Sequence, residues 1–288
     1  MNSLEEHVKR ILKVLVTIEQ NIDEELTIEN LAKQAFYSPF HFHRIFQAIT
    51  KETLHQYIKR LRVEKAAGKL RYTNQSITEI ALDASYETPS AFTKAFKQSM
   101  GTSPKKYRDL QSAARIIARK INQGLSMIHP ETIEKSTPNL NLSFVRRLGN
   151  YMQSPFEAWQ AMGQYIEENK WDRSQLRYFG ICHDDPKITS EEKLRYDAAI
   201  LAPSPGKEKG EVGHQTLLGG KYAIFTHLGS YEGLEKAFDQ IFLKWLPQSS
   251  ETFDESRAVF CEYFHMEFVQ THPEKLKTQS LHSFTLKR

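Results

Sequence analysis

Apolar positions in the first 120 residues recur at intervals of three and four, the period of an amphipathic helix. From about residue 140 they shift toward alternation, the period of a strand. The first stripe is Val8, Ile11, Leu12, Leu15 and Ile18, on a helix opened by Ser3 with Glu6 completing a capping box. The acidic run Asp23-Glu24-Glu25 ends it. The next pattern to stand out lies between Tyr86 and Tyr107. Phe92 and Phe96 point one way into a core, while Ser90, Thr93, Lys94 and Lys97 point outward. Thr88 is placed to cap the helix start, and Pro89 suits its first position because it has no N–H to leave unbonded. Gly101 fits a left-handed end.

The same plan stands fifty positions earlier. Ser38-Pro39 starts a helix that buries Phe42, Ile45, Phe46 and Ile49 and exposes Phe40, His41, His43, Arg44 and Gln47. Pro39 pairs with Pro89, Phe42 with Phe92, Arg44 with Lys94, Phe46 with Phe96 and Tyr57 with Tyr107. A short helix precedes each copy, over residues 28–32 behind a Thr27 cap and over 77–81 behind a capping box from Ser76 to Glu79. Short helix, tight turn and capped helix with a polar outer face is the helix-turn-helix plan, whose second helix enters the DNA major groove. A duplicated plan marks a repeat.

A longer helix over 54–71 joins the two units, with Tyr57, Ile58, Leu61 and Leu70 buried. Its Lys59, Arg60, Arg62 and Lys65 are expected to be solvated or near phosphate. As a rigid strut it would hold the recognition helices apart, and a separation near ~34 Å suits successive major grooves. Residues 112–123 read as a basic connecting helix, either solvated or with Arg115, Arg119 and Lys120 against phosphate, and 124–138 as linker.

The strand-like half begins with residues 142–146. A helix follows from Ser154-Pro155, with Glu157 completing a capping box and Trp159, Met162 and Ile166 on its core face. Strands are expected over 178–182, 196–202, 212–218, 221–227, 258–264 and 283–287. Gly219-Gly220 reads as a two-residue hairpin turn between the fourth and fifth of the strands from residue 142. A second helix would bury Leu234, Ala237, Phe238, Ile241, Phe242 and Trp245 and stop at Pro247. A strand, then Leu148-Gly149-Asn150-Tyr151, then a helix recurs eighty positions on around Leu228-Gly229-Ser230-Tyr231. This half therefore also reads as duplicated, a pseudo-symmetric α+β domain.

At 288 residues the chain suits about two domains. Its net charge of +4 is unevenly spread. Residues 1–120 hold 20 Lys/Arg against 13 Asp/Glu, and the remainder 19 against 22. A basic half joined to a mildly acidic one points the first toward a polyanion. Cys182 and Cys261 lie far apart without metal or redox spacing and read as free thiols in a reducing compartment. Cys182-His183-Asp184 does not make a metal site, because adjacent strand residues point to opposite faces. No basic-then-apolar leader opens the sequence, and no apolar run reaches the ~18 residues of a membrane span. A soluble cytoplasmic protein without cofactor or metal is expected, and no enzyme.

The runs S-P-F-H-F-H-R-I-F (38–46), L-H-Q-Y-I-K-R-L-R (54–62) and I-T-E-I-A-L-D-A-S-Y-E-T-P-S-A-F-T-K-A-F-K (77–97) resemble the AraC/XylS regulator domain. The runs Y-F-G-I-C-H-D-D-P-K-I-T (178–189), K-L-R-Y-D-A-A-I (193–200), G-G-K-Y-A-I-F-T-H-L-G-S-Y (219–231) and F-C-E-Y (260–263) resemble the GyrI-like effector-binding domain. The order of the two resembles the Rob-like branch. The resemblance implies an all-α double helix-turn-helix domain over residues 1–111, a linker over 112–130 and a pseudo-symmetric α+β domain over 131–288. It implies DNA contacts from Phe40, His43, Arg44 and Gln47 on the first recognition helix and Pro89, Ser90, Thr93, Lys94 and Lys97 on the second. Arg44 and Lys94 can donate to guanine or to phosphate. Phe40 also fits a core position at the rim.

Phe36, Ser85 and Lys51 stand where the family carries glycine, so a tolerated left-handed strain or a shifted turn is expected there. The resemblance further implies an effector pocket with Glu262 as its carboxylate and Tyr151, Trp159, Tyr231 and Phe260 as walls. Each of these also fits plain packing, and Glu262 a surface strand. A buried carboxylate would favour a cationic or hydrogen-bond-donating ligand. A GyrI-like hydrolase with Glu262 and a tyrosine as general base, and a ligand-independent architectural DNA-binding or interaction protein, stand as alternatives. The reading is a transcription regulator, activator by its family, that binds double-stranded promoter DNA as monomer or dimer. A small amphipathic or cationic effector and RNA polymerase are its other expected partners.

Overall fold

The computed structural model describes residues 3–121, 132–204, 206, 210–249, 251–254, 257–264 and 276–286. The chain divides into two compact units, one built on Met1–Ala114 and the other on Arg115–Glu208 and His214–Arg288.

The first unit is helical: α1 (Ser3–Gln20), α2 (Ile28–Gln34), α3 (Pro39–Thr50), α4 (Leu54–Tyr72), α5 (Ile77–Asp83), α6 (Pro89–Met100) and α7 (Pro104–Ile121). The repeat is visible bond by bond. Ser38 Oγ accepts from His41 N and Thr88 Oγ1 from Ala91 N, with proline in the first turn of both helices. Phe42 packs on Phe46 and Phe46 on Tyr57, just as Phe92 packs on Phe96 and Phe96 on Tyr107. The turns repeat as well: Tyr37 N–H donates to Ala32 O (2.9 Å), and Tyr86 N–H to Ala81 O (3.0 Å). Phe36 (φ 58°), Ser85 (φ 60°) and Lys51 (φ 60°) take the left-handed conformation itself, so the turns keep their geometry and carry the strain.

α4 is one unbroken helix. Its cations are spent inside the unit instead of being left to solvent. Arg60 clasps Glu52 (2.8 Å) and Glu64 (3.0 Å), and Lys65 pairs with Asp23 (2.5 Å). Arg62 donates to the carbonyls of Ile22 and Glu24, and Lys59 to Gln98 on α6. Helix α7 continues through residue 121, past the point where the apolar pattern fades after Tyr107. The side chains of Arg115, Arg119 and Lys120 lie outside the described ones, as does that of Ser3 at the start of α1.

The second unit is an antiparallel sheet with helices on it. Its elements are β1 (Thr132–Thr137), β2 (Leu140–Leu148), α8 (Ser154–Glu168), β3 (Arg177–Cys182), β4 (Arg195–Leu201), β5 (Val212–Leu217), β6 (Gly220–Leu228), α9 (Leu234–Gln240), β7 (Glu251–Phe253), β8 (Phe260–Phe264) and β9 (Lys277–Leu286). After α9 the helix widens into a π turn over Ile241–Trp245 and ends in Leu246–Gln248. The strand order is β1-β6-β9-β8-β3-β4-β2-β5, with β7 on β9. Reversing it exchanges β2 with β6, β4 with β9 and β3 with β8, so the duplication is a two-fold one centred between β3 and β8. Gly149 N–H donates to Leu194 O and Gly229 N–H to Leu276 O, one bond in each half.

Three sequence expectations change here. Gly219-Gly220 is not a hairpin turn, since β5 and β6 sit toward opposite ends of the strand order. β1 pairs with β6, and β5 is the neighbour of β2, so each half lends its first strand to the other. The two connections meet: Gly219 N–H donates to Asn139 Oδ1 (2.7 Å), and a Cβ on Gly219 would collide with the Thr137 carbonyl. Residues 132–137, read as linker, form a strand because β6 supplies the partners. The capping box at Ser154 is absent. Its hydroxyl bonds Gly149 O, and Glu157 accepts from Gln153 instead.

Candidate functional site

The two recognition helices, α3 and α6, present most of the side chains expected to meet DNA. Phe40 is 74% exposed, and the Arg44 guanidinium lies 5.9 Å from its ring centroid. Gln47, Pro89, Ser90, Lys94 and Lys97 are exposed. A large exposed aromatic on a capped basic helix is not a core residue, so the rim reading of Phe40 falls away. His43 is half-buried and lines a cleft of about 770 Å³ together with Asp23, Glu24, His55 and Arg62. Thr93 is half-buried and its hydroxyl donates to Pro89 O (2.8 Å), which leaves its methyl group as the outward feature.

In the second unit the strand register decides which side chains share a face. Tyr178 pairs with Tyr263, Gly180 with Cys261 and Cys182 with Tyr196, so these six lie on one face. Trp159 reaches them from α8. Its indole N–H donates to the Tyr196 hydroxyl (3.0 Å), and its ring packs at 6.0 Å from both Tyr178 and Tyr263. Tyr231 packs on Tyr263 (5.2 Å) and Tyr151 on Tyr196 (6.4 Å). The Tyr196 and Tyr263 oxygens are 3.3 Å apart. A Cβ at Gly180 would collide with both hydroxyls, so only glycine leaves them room over the sheet.

Phe260 and Glu262 lie on the other face. Glu262 is opposite Phe179, and Arg177 grips it through Nε (2.7 Å) and a second nitrogen (3.0 Å). Phe260 packs on Phe179 (5.9 Å) and Tyr222 (5.3 Å). The structure therefore brings Tyr151, Trp159 and Tyr231 together and leaves Phe260 and Glu262 behind the sheet. On that same rear face, opposite Ile181, Asp197 is fully buried and bound by Arg146, His183 and Gln215. Burial pushes its carboxyl up, but Arg146 and His183 outweigh that and hold it well below the usual carboxylate range.

A helix-turn-helix domain model matches residues 31–109, and a GyrI-like small molecule binding domain model matches residues 130–280. The chain is 35% identical over 265 residues to the right origin-binding protein of Escherichia coli (strain K12), across 84% of this chain and 86% of that protein. The chain belongs to the AraC-type regulators with a GyrI-like small molecule binding domain. The chain is also 34% identical over 102 residues to regulatory protein SoxS of Escherichia coli (strain K12), across 35% of this chain and 95% of that one. A solved EcmrR–DNA complex aligns over 90% of this chain and 99% of that one, at 13% identity and a TM-score of 0.48. This member of the family is a DNA-binding transcription regulator with a small-molecule domain.

Chemically, the centre of the aromatic face of this GyrI-like domain is neutral. Burial pushes the Cys182 thiol up to about 12 and the Tyr231 phenol likewise to about 12. It also drives Tyr196, Tyr263 and Cys261 well above their ordinary values. All of these stay protonated near neutral pH and act as hydrogen-bonding groups without charge. Tyr151 is held differently. Its hydroxyl sits against the backbone of Asp184 and Arg195 (3.1 Å each), so its oxygen is committed to the fold. Sequence reasoning missed Tyr178, Gly180, Cys182, Tyr196, Cys261 and Tyr263. Their alternation along the strands was readable, but which alternate set met Trp159 was not. Among the described residues no three His, Cys, Asp or Glu side chains gather as a metal site, and no helix is long and apolar enough to cross a membrane.

Proposed function

We propose that this regulator reads promoter DNA with α3 and α6 and responds to a small molecule held on the aromatic face of its second unit. The observation that carries the DNA reading is the pair of capped helices that expose Phe40, Arg44 and Gln47 on one, and Ser90, Lys94 and Lys97 on the other. Arg44 suits guanine O6 and N7, Phe40 suits a thymine methyl, and Lys94 and Lys97 suit phosphate or guanine. Pro89 and Thr93 offer carbon to the groove, so α6 reads little by hydrogen bonding and mostly positions the protein. His43 joins the first set from its half-buried place. Residues 1–111 and 131–288 form the two functional domains, joined through 112–130. The protein acts in the cytoplasm and contacts RNA polymerase at its promoters.

A ligand can change transcription only by binding one functional state better than another. The ligand side of the reading rests on Trp159, Tyr231 and Tyr263, which are half-buried and pack at 5.2–6.0 Å around the central strands. The general-base role considered for Glu262 draws no support from the geometry, because Arg177 holds both of its oxygens away from these tyrosines. Genome-wide mapping of binding sites, followed by footprinting of the recovered sites against random DNA, tests the DNA reading. Enriched sites sharing one motif are expected. Binding that ignores sequence would make the protein architectural instead.

A further inference from the structure

We infer that the ligand of the aromatic face is an uncharged, largely aromatic molecule bearing a hydrogen-bond acceptor, received by the Tyr263 hydroxyl. The inference rests on the reading of that face as the small-molecule site.

Charge is the first argument. The two acids on the central strands β3, β4 and β8 are Asp197 and Glu262, and register puts both on the opposite face. Each is already neutralised there, Asp197 by Arg146 and Glu262 by Arg177. On the ligand side the register adds Arg147, opposite Tyr196 on β2. Asp184 and Arg195 beside Tyr151 cancel as a buried ion pair (2.6 Å). His227 of β6 bonds the Ser230 carbonyl. Among the described residues of the central strands, a cation entering this face would lose hydration and meet no carboxylate. An anion would find Arg147 beyond Tyr196 but only neutral groups at the centre. An uncharged molecule carries no such cost.

The hydrogen-bond inventory supplies the second argument. Three donors converge: the Trp159 indole N–H and the hydroxyls of Tyr196 and Tyr263. Trp159 donates to Tyr196. Tyr196 is 2% exposed, and its other hydroxyl contact among the described residues is the Tyr263 oxygen; either oxygen can donate in that bond, and the orientation with Tyr196 donating leaves no fully buried proton without an acceptor. The proton of Tyr263 is then left to point elsewhere, on the half-exposed side of the ring. The thiols Cys182 and Cys261 on the same face are weak acceptors and stay protonated. A partly buried donor there is left to water, and a ligand that displaces the water must supply an oxygen or nitrogen to accept the proton. Gly180 makes the arrangement possible by leaving space beneath both hydroxyls.

The test uses the full-length protein and two probes of similar bulk, neutral triphenylphosphine oxide and cationic tetraphenylphosphonium, titrated calorimetrically. The oxide should bind at least about tenfold tighter. Tyr263→Phe, which removes only the hydroxyl, should weaken the oxide about five- to tenfold, the worth of one neutral hydrogen bond. Glu262→Gln should change neither probe. Should Tyr263→Phe fail to fold, the order of the two probes on the unaltered protein still decides. Tighter binding of the phosphonium, lost in Glu262→Gln, would overturn the inference and leave the ligand site standing. If neither probe binds at its solubility limit, the inference falls together with the reading beneath it.

Discussion

At the scale of single residues, the informative positions are those that break a local rule. Lys51 ends α3 at φ 60°, where the second copy has Gly101 at φ 71°. A side chain there costs about 1 kcal/mol in the left-handed region. Lys51→Gly should therefore stabilise the first unit by up to about 1 kcal/mol, less the entropy glycine adds to the unfolded chain. A rise of a few degrees in its thermal midpoint, with DNA affinity little changed, is the expected result. Lys51 is a cleaner test than Ser85, whose hydroxyl bonds Asp23 O, or Phe36, whose ring lies 5.7 Å from the Arg10 guanidinium, because its own bond, from Nζ to Ala48 O (2.8 Å), is exposed and local. His282 breaks another rule. It is fully buried among Phe225, Phe238 and Phe242, and burial lowers its pKa to about 3. The unfolded chain takes up this proton near pH ~6.5, and the folded one not until about 3. Stability is complete above the upper value and falls as pH drops through that window, because the unfolded state binds the extra proton. Between pH 7 and 4.5 His282 should cost the second unit about 2–3 kcal/mol. His282→Leu should remove that part of the acid sensitivity, as read from urea midpoints at the two pH values.

At the scale of elements, α3 and α6 were legible because a helix with one buried and one exposed face declares itself by period. Caps at Ser38 and Thr88 and the phenylalanine pairs followed from spacing alone. The fate of the charges did not. Arg60, Arg62 and Lys65 look like a phosphate-binding row in sequence, yet each meets a carboxylate or carbonyl brought in by the fold. That sharpens the expectation for the recognition helices, whose cations remain outward. Arg44→Ala should relax preference at one base position and cost about 1–3 kcal/mol. Lys97→Ala should weaken all sequences alike and lower the salt slope by about one. Competition titrations over a set of single-base operator variants, repeated at several salt concentrations, check both. A uniform loss from Arg44→Ala would move Arg44 to the phosphates. In β8 the lesson is parity. The family resemblance grouped Phe260 and Glu262 with Tyr231, but a strand sends alternate residues to opposite faces. Cys261 and Tyr263 are the β8 residues that meet the aromatic cluster.

At the scale of the molecule, two recognition helices in one chain lead to the expectation that a single protomer covers about 20 bp, with half-elements about 10 bp apart. Footprinting combined with sedimentation of the complex tests this. A dimer in which each protomer uses one helix would contradict it. The sequence by itself determined the number of units, the helix-turn-helix repeat, the register of its caps and cores, and the outward residues of α3 apart from His43, which is half-buried. Those are local matters, settled by period, capping chemistry and the conformations that proline and glycine allow. It also showed that the second half is duplicated, through the recurrence of Leu-Gly-Asn-Tyr as Leu-Gly-Ser-Tyr. What it left open was how the two copies combine. Gly219-Gly220 reads as a hairpin because nothing within a few residues says that β5 leaves for β2 while β6 takes β1. The polar run at the start of β9 carries no strand signal, and that strand forms because β6 and β8 offer it partners on both sides. The membership of the ligand face is likewise a matter of register between strands some eighty residues apart in the chain. Alternation restricts each strand to two faces, and only the tertiary pairing chooses between them.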